Sequence, residues 1–302
     1  MKKKIIVITG PTASGKSSIA LEAAKAAQGS IICMDSMQIY RHMDIGTAKP
    51  TAAEQEQVPH YLFDHVSPFD AYSVAQYKED AAPLMQTISN PFFVGGTGLY
   101  LNAITTDMNF ANDRGNDEIR NKYQRICDEE GKQHLHDLLE EVDPPTAARL
   151  HINDTRRVIR ALEVYELTGV PFSEQQDAVH EDPDHEFIIF APLWDRDILY
   201  DRINQRVDMM IHEGLVNEIR MLLDMGLTGS EQSMKGIGYK ELINALHGEC
   251  SIDEAIALIK QKSRNYAKRQ MTWFRRDERI RWIDMKENNV DSAKEIVLKT
   301  IL

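Results

Sequence analysis

Apolar residues run unbroken from Ile5 to Ile8 and stop at Thr9-Gly10, where a glycine-rich turn opens into a helical stretch from Lys16 to Ala27. A second apolar run, Ile31 to Met34, stops at Asp35, and a third, Phe92 to Val94, stops at Gly95-Gly96-Thr97-Gly98. Short β-branched and aromatic runs that end in turn residues predict buried strands. Strands that alternate with helices predict an α/β fold, a parallel sheet flanked by helices. Ligands of such sheets sit beyond the carboxyl ends of the strands, so the Gly10 loop, Asp35 and the Gly95 loop are expected on one rim.

The pattern changes at residue 112. Polar turn residues (Asn112, Asp113, Gly115, Asn116) precede several helical periods; Pro144-Pro145 opens one, and Gly169 and Pro171 close another. The next strand-like run is Phe187 to Phe190, and after Asp195 the chain is helical in pattern until Ile280 to Ile283. These breaks predict an all-helical insertion over 112–184, set into an α/β core made of 1–111 and 185–302. No internal repeat or low-complexity segment interrupts this plan.

Composition narrows the class without fixing the function. Of the 302 residues, 42% are hydrophobic and 27% charged, ordinary values for a globular protein. No apolar run approaches the roughly 20 residues of a membrane helix, and the apolar stretch behind MKKK is too short for a signal peptide. Cys33, Cys127 and Cys250 form no CxxC pair, which fits a reducing cytoplasm better than a disulfide framework or a zinc site. The net charge of −12 argues against a protein that coats nucleic acid everywhere, but leaves room for a local basic face.

The first turn carries the clearest chemistry. Gly10, Pro11, Thr12, Ala13, Ser14, Gly15, Lys16 and Ser17 fit G-x-x-x-x-G-K-[ST], set between a strand and a helix. Such a P-loop turns backbone N–H groups around phosphate oxygens and adds the partial positive charge of a helix N-terminus. Lys16 supplies a cation, and the Ser17 hydroxyl is placed to ligate Mg²⁺. The pattern marks nucleotide-binding and ATP-binding proteins, yet what it specifies is a phosphate chain. Switch and motor enzymes also need an apolar strand that ends in an Asp for Mg²⁺. Here the third run ends in Gly95, and Asp35 is followed by Ser36-Met37-Gln38, so a small-molecule transferase fits better. At the rim, Asp35 could take a proton from a nucleophile; position alone equally allows a carboxylate that helps hold Mg²⁺ or caps the next turn.

GPTASGKS followed by DSMQIYRHMDIGTAKP (Asp35 to Pro50) closely resembles the tRNA isopentenyltransferase family, the bacterial tRNA dimethylallyltransferases. The resemblance continues through VGGTGLYL (Val94 to Leu101), HINDTRRVIRALEVYELTG (His151 to Gly169), RINQRVDMM (Arg202 to Met210), GIGYKE (Gly236 to Glu241) and AKRQMTWFRR (Ala267 to Arg276). It implies transfer of a dimethylallyl group from dimethylallyl diphosphate to N6 of adenosine-37 in tRNA, with release of pyrophosphate and Mg²⁺ as cofactor. By position it implies Asp35 as the base, Arg206 on the diphosphate and Thr97 in the substrate channel. It further implies RNA-facing segments at Asp35, Ser36, Met37 and Gln38; at Arg156, Arg157, Val158, Ile159 and Arg160; at Lys235, Gly236, Ile237, Gly238, Tyr239 and Lys240; and at Lys268, Arg269 and Arg275, with Arg120 a further contact. The chain lacks cysteines for the zinc finger of the eukaryotic members and so resembles the bacterial type.

The residues support these segments on their own account. Arg156, Arg157 and Arg160 share one helix face that could straddle phosphates. Lys260, Lys262, Arg264, Lys268, Arg269, Arg275, Arg276, Arg279 and Arg281 form a basic run opposed in sequence only by Asp277 and Glu278, with Trp273 and Phe274 inside it. Basic helices with aromatics suit an RNA loop, although core packing is the expected role of Trp273. An adenine amine reaches a buried base only if it leaves its stack, so a channel is expected, with the anticodon stem-loop entering on one side and the diphosphate on the other. Two rivals share the motif set: a prenyltransferase acting on free AMP, which needs no second cationic surface, and a small-molecule kinase with Arg202 or Arg206 in a lid. A monomer is the default expectation, with no membrane partner.

Overall fold

A computed structural model of the chain describes residues 2–106, 116–176, 182 and 184–301. The chain divides into two compact units, Met1–Thr105 with Pro183–Leu302, and Thr106–Asp182. The expected boundary at Asn112 lies outside the described residues.

The first half of the larger unit runs β1 (Lys3–Ile8), α1 (Lys16–Ala26), β2 (Ser30–Cys33), α2 (Ala52–Gln55), β3 (His60–Tyr61), α3 (Val74–Thr87), β4 (Pro91–Val94) and α4 (Gly98–Thr105). The helical unit holds α5 (Asp117–Glu129), α6 (Gly131–Val142), α7 (Pro144–Arg149), α8 (Thr155–Thr168) and α9 (Phe172–Gln176). The chain then returns with β5 (His185–Leu193), α10 (Arg196–Glu213), α11 (Leu215–Asp224), a 3₁₀ turn at Ser233–Lys235, α12 (Tyr239–Leu246), α13 (Ile252–Phe274), β6 (Ile280–Asp284) and α14 (Val290–Ile301).

The six strands form one parallel sheet in the order β3-β2-β4-β1-β5-β6. Five of them are the apolar runs of the sequence. β3 is two residues long, too short to show a period. Side chains alternate across a strand, so Ile5 and Val7 of β1 enter a core covered by α3, α4, α11 and α12. Ile6 and Ile8 enter a second core, covered by α1 and α14. Both faces are buried, which is why the strands read as continuous apolar runs.

Register sets the rim. Ile8 lies opposite Val94 and Phe190, and Cys33 lies opposite Val94. The Gly10 loop, Asp35 and the Gly95 loop therefore leave the sheet at one level. The Thr9 hydroxyl donates to the Gly95 carbonyl at 2.9 Å and fastens two of these exits together.

In the helical unit, Leu135, Leu139, Val158 and Leu162 form a separate apolar core. Asp143 caps α7 by accepting from the Thr146 N–H at 3.1 Å, and Pro144-Pro145 follows, where missing N–H groups cost nothing. No helix among the described residues is long and apolar enough to cross a membrane.

Candidate active site

The turn from β1 into α1 is shaped by its glycines. Gly15 adopts φ +88 directly before Lys16, a conformation other residues reach only with strain, and this aims the first turn of α1 at the cavity. The outer side of the loop is tied down by three side chains. The Trp194 indole N–H donates to the Ser14 carbonyl at 2.8 Å, Arg202 Nε donates to the Ala13 carbonyl at 2.9 Å, and Gln270 Oε1 accepts from the Thr12 N–H at 3.0 Å. Arg202 also lies over the Trp194 ring, 4.4 Å from its centroid.

On the inner side two polar groups lack partners among the described residues, while Lys16 Nζ donates only to the Pro11 carbonyl, at 3.4 Å. Ser14 Oγ and Arg206 Nε are buried without a hydrogen bond among the described residues, and buried polar groups are normally satisfied. Lys16 is pushed down to about 8 by burial and then by the neighbouring Arg206 cation, with Asp35 pulling the other way. Burial also works against the charge of Arg206, offset in part by Asp35 and Glu213. Two desolvated cations beside an orphaned hydroxyl form a site that an anion completes.

Two cavities meet at this point. The larger, about 1040 Å³, is lined by Ala13 to Ser18, Arg202 and Glu213 among others. The smaller, about 370 Å³, holds Asp35, Ser36, Met37 and Gln38 together with Gly236 to Gly238, Tyr266 and Arg269. Lys16, Ser17, Arg206 and Met210 line both. Thr12, Lys16 and Ser17 of the phosphate loop therefore face the same cavity as Asp35. Ile203, Val207, Leu215 and Ile259 give the Asp35 cavity an apolar flank.

Asp35 does cap its own turn: Oδ1 accepts from the Met37 N–H at 2.9 Å. That leaves Oδ2 without a hydrogen-bond partner among the described residues. Capping and proton acceptance, alternatives from sequence position, are compatible here because the two oxygens divide them. Thr97, expected in the substrate channel, is bonded to Ser36 of the Asp35 cavity wall. Its hydroxyl accepts from the Ser36 N–H at 3.0 Å and donates to Ser36 Oγ at 3.3 Å, so it braces the segment that carries Asp35.

The RNA-facing segments divide by exposure. Lys235, Lys240, Lys268, Arg269 and Arg275 are exposed, as are Arg156 and Arg157. Val158 and Ile159 are buried in the helical core, and Tyr239 is 1% exposed with its hydroxyl bound to Glu218; none of these side chains can read a base. Arg120 and Arg160 are tied to the fully buried Glu163, each at 2.8 Å, so the three-arginine face reduces to Arg156 and Arg157, the latter paired with Asp154 at 3.1 Å. The C-terminal basic run is likewise less open than its sequence implies. Asp208 holds Lys260 and Glu241 holds Lys262, carboxylates distant in the chain, and Asp277 holds Arg279. Phe274 is core, but Trp273 is 39% exposed and lies against Gly98, which corrects its expected burial.

Sequence reading missed Gln270 and Trp194. Gln270 lies inside the quoted block AKRQMTWFRR, yet a glutamine in a basic helix carries no signal until the fold brings it to the Gly10 and Gly95 loops. Arg202, weighed for a lid, instead buttresses the phosphate loop.

The IPP transferase family matches residues 38–277, and an isopentenyl transferase family matches residues 3–66. A tRNA dimethylallyltransferase of Acetivibrio thermocellus is 46% identical, covering 97% of this chain and 95% of that protein. The crystal structure of a full-length tRNA isopentenylpyrophosphate transferase from Bacillus halodurans superposes with a TM-score of 0.73 at 42% identity, covering 99% of this chain and 96% of that one. A eukaryotic dimethylallyltransferase solved while acting on tRNA gives a TM-score of 0.79 at 28% identity, covering 93% and 74%.

Proposed function

The chain belongs to the IPP transferase family, and from that premise we propose that it transfers a dimethylallyl group from dimethylallyl diphosphate to N6 of adenosine-37 in tRNA, releasing pyrophosphate. The observation that carries this reading is the shared wall: Lys16 and Arg206, which suit a diphosphate, face the same space as Asp35.

The chemistry follows from those positions. The exocyclic amine is a poor nucleophile because its lone pair is delocalised into the purine. It attacks the allylic carbon as the C–O bond to the diphosphate breaks, and its proton passes to Asp35 Oδ2. Lys16, Arg206 and the loop N–H groups hold the departing negative charge. The apolar flank at Ile203, Val207 and Ile259 takes the five-carbon chain and keeps water from the allylic centre.

Ser17 fits a Mg²⁺ ligand, since it lines both cavities and its hydroxyl makes no hydrogen bond among the described residues; diphosphate oxygens would supply other oxygen donors of the kind usual for this ion. When bound, the ion neutralises charge on the leaving diphosphate. Exposed Lys235, Lys268 and Arg269 suit the backbone of an anticodon stem-loop, and in the helical unit the exposed Arg156 suits an RNA phosphate. The three free cysteines suit a cytoplasmic enzyme, and we take it to act as a monomer.

The test is direct. Incubation with Mg²⁺, bulk tRNA and either dimethylallyl diphosphate or ATP is followed by nucleoside mass analysis. Adenosine gains a five-carbon unit only with the allylic diphosphate; unchanged adenosine rules the reading out.

A further inference from the structure

Two loops form parts of the wall of the Asp35 cavity. One contributes Gly46 and Thr47, the other Lys235 to Gly238. A single carboxylate ties them together. Glu218, in the first turn of α11, is 8% exposed. Its Oε2 accepts from the Asp44 N–H at 2.8 Å and the Ile45 N–H at 2.6 Å. Its Oε1 accepts from the Gly46 N–H at 3.1 Å and the Tyr239 hydroxyl at 2.8 Å. No cation pairs with Glu218 among the described residues, so four neutral donors balance a buried charge. Bonds to an ionised acceptor are about twice as strong as neutral ones.

The packing at this junction leaves no slack. A Cβ on Gly46 would lie 2.5 Å from the Tyr239 hydroxyl oxygen, so only glycine lets the first loop close onto the tyrosine that follows the second. The first loop is also the seat of Gln38. Its Nε2 donates to the Thr47 carbonyl at 3.0 Å and the Ala48 carbonyl at 2.9 Å. With both amide hydrogens engaged, Gln38 turns only its carbonyl oxygen toward a ligand.

We propose that Glu218 and Tyr239 are positioning residues for the RNA substrate: by locking both loops they fix the width of the base cavity and the orientation of Gln38. Neither touches the reacting atoms. The proposal rests on the transferase reading and assigns to that reaction two residues that act through the loops they hold. The phosphate loop is braced independently, by Trp194, Arg202 and Gln270, none of which bonds to Glu218. Asp44 and Ile45 also border the larger cavity, but loosening the Glu218 junction leaves these three braces of the phosphate loop in place and so acts first on the RNA.

The experiment measures steady-state kinetics for the wild type, Tyr239→Phe and Glu218→Gln, with an anticodon stem-loop RNA and dimethylallyl diphosphate varied in turn, alongside thermal melting. Tyr239→Phe deletes one hydroxyl donor at constant shape and raises KM for the RNA about fivefold. Glu218→Gln turns a carboxamide NH₂ toward backbone N–H groups and raises it tenfold or more. KM for the diphosphate stays within about twofold of wild type in both. An unchanged RNA KM, or the two KM values rising together, overturns the proposal; should Glu218→Gln not fold, Tyr239→Phe decides alone. A wild type that transfers nothing discards the transferase reading itself, before any variant is compared.

Discussion

Gln270 accepts the Thr12 N–H at 3.0 Å and so joins α13 to the phosphate loop. Its amide nitrogen donates to the Gly96 carbonyl at 2.8 Å, which extends the link to the loop after β4. The same turn of α13 carries the exposed cations Lys268 and Arg269. One buried side chain thus connects a phosphate cradle, a strand exit and a basic surface.

Replacing Gln270 by Ala leaves a loop N–H and a buried carbonyl without partners, each worth about 1 kcal/mol. KM for dimethylallyl diphosphate should rise about tenfold, and the melting temperature should fall by several degrees. Kinetics and calorimetry on the one variant check both.

Lys16 binds an anion as a cation, and in the free protein burial lowers it to about 8. Below that value the cation is intact; above it each pH unit removes about tenfold of the competent form. The profile of kcat/KM for the diphosphate, which reports the free enzyme, should therefore bend downward near pH 8. Lys16→Arg removes the bend, because arginine stays charged throughout.

Asp35→Asn keeps the Met37 turn, since the amide oxygen can still accept its N–H, but loses the proton acceptor. Transfer should slow by about 10² to 10⁴. Binding of both substrates, measured separately by filter retention of RNA and by titration with pyrophosphate, should survive. Loss of binding in step with rate would make Asp35 a binding group.

Glu163 divides the arginines of the helical unit into two kinds. Arg156→Ala should raise KM for tRNA about threefold to tenfold with melting unchanged, whereas Arg120→Met should lower stability by about 1 kcal/mol. Burial raises the Glu163 carboxyl, but bonds from Arg160, the Asn116 N–H and Arg120 outweigh it, so its pKa lies below the usual range. A depressed folded pKa gives stability that is complete above the unfolded value, near 4.3, and lost as pH falls through the folded one. Helix content of this unit, followed by circular dichroism, should fall below about pH 4, and Glu163→Gln should flatten that dependence.

Most of this arrangement was legible in local pattern. Runs such as Ile5 to Ile8 announce a sheet covered on both faces, and a loop ending in Gly15-Lys16-Ser17 announces a phosphate. What stayed hidden depends on distance in the chain. Glu218 and Gln270 are ordinary helix residues until the fold carries them to loops far earlier in sequence. Arg120 and Lys260 read as free cations because their partners, Glu163 and Asp208, lie on other helices. Val158 and Ile159 share a block with surface arginines, and only the helical period separates the buried pair from the exposed one.

The sheet order has a consequence for biosynthesis. β1 is the first strand made, yet it waits for β5, whose Phe190 lies opposite Ile8. Until the ribosome has finished the helical insertion, that edge of β1 is unpaired, an open template for other nascent strands. The insertion has its own apolar core and can fold while the edge stands open. Slowing translation just before His185 should therefore lengthen the vulnerable interval and reduce the yield of soluble enzyme.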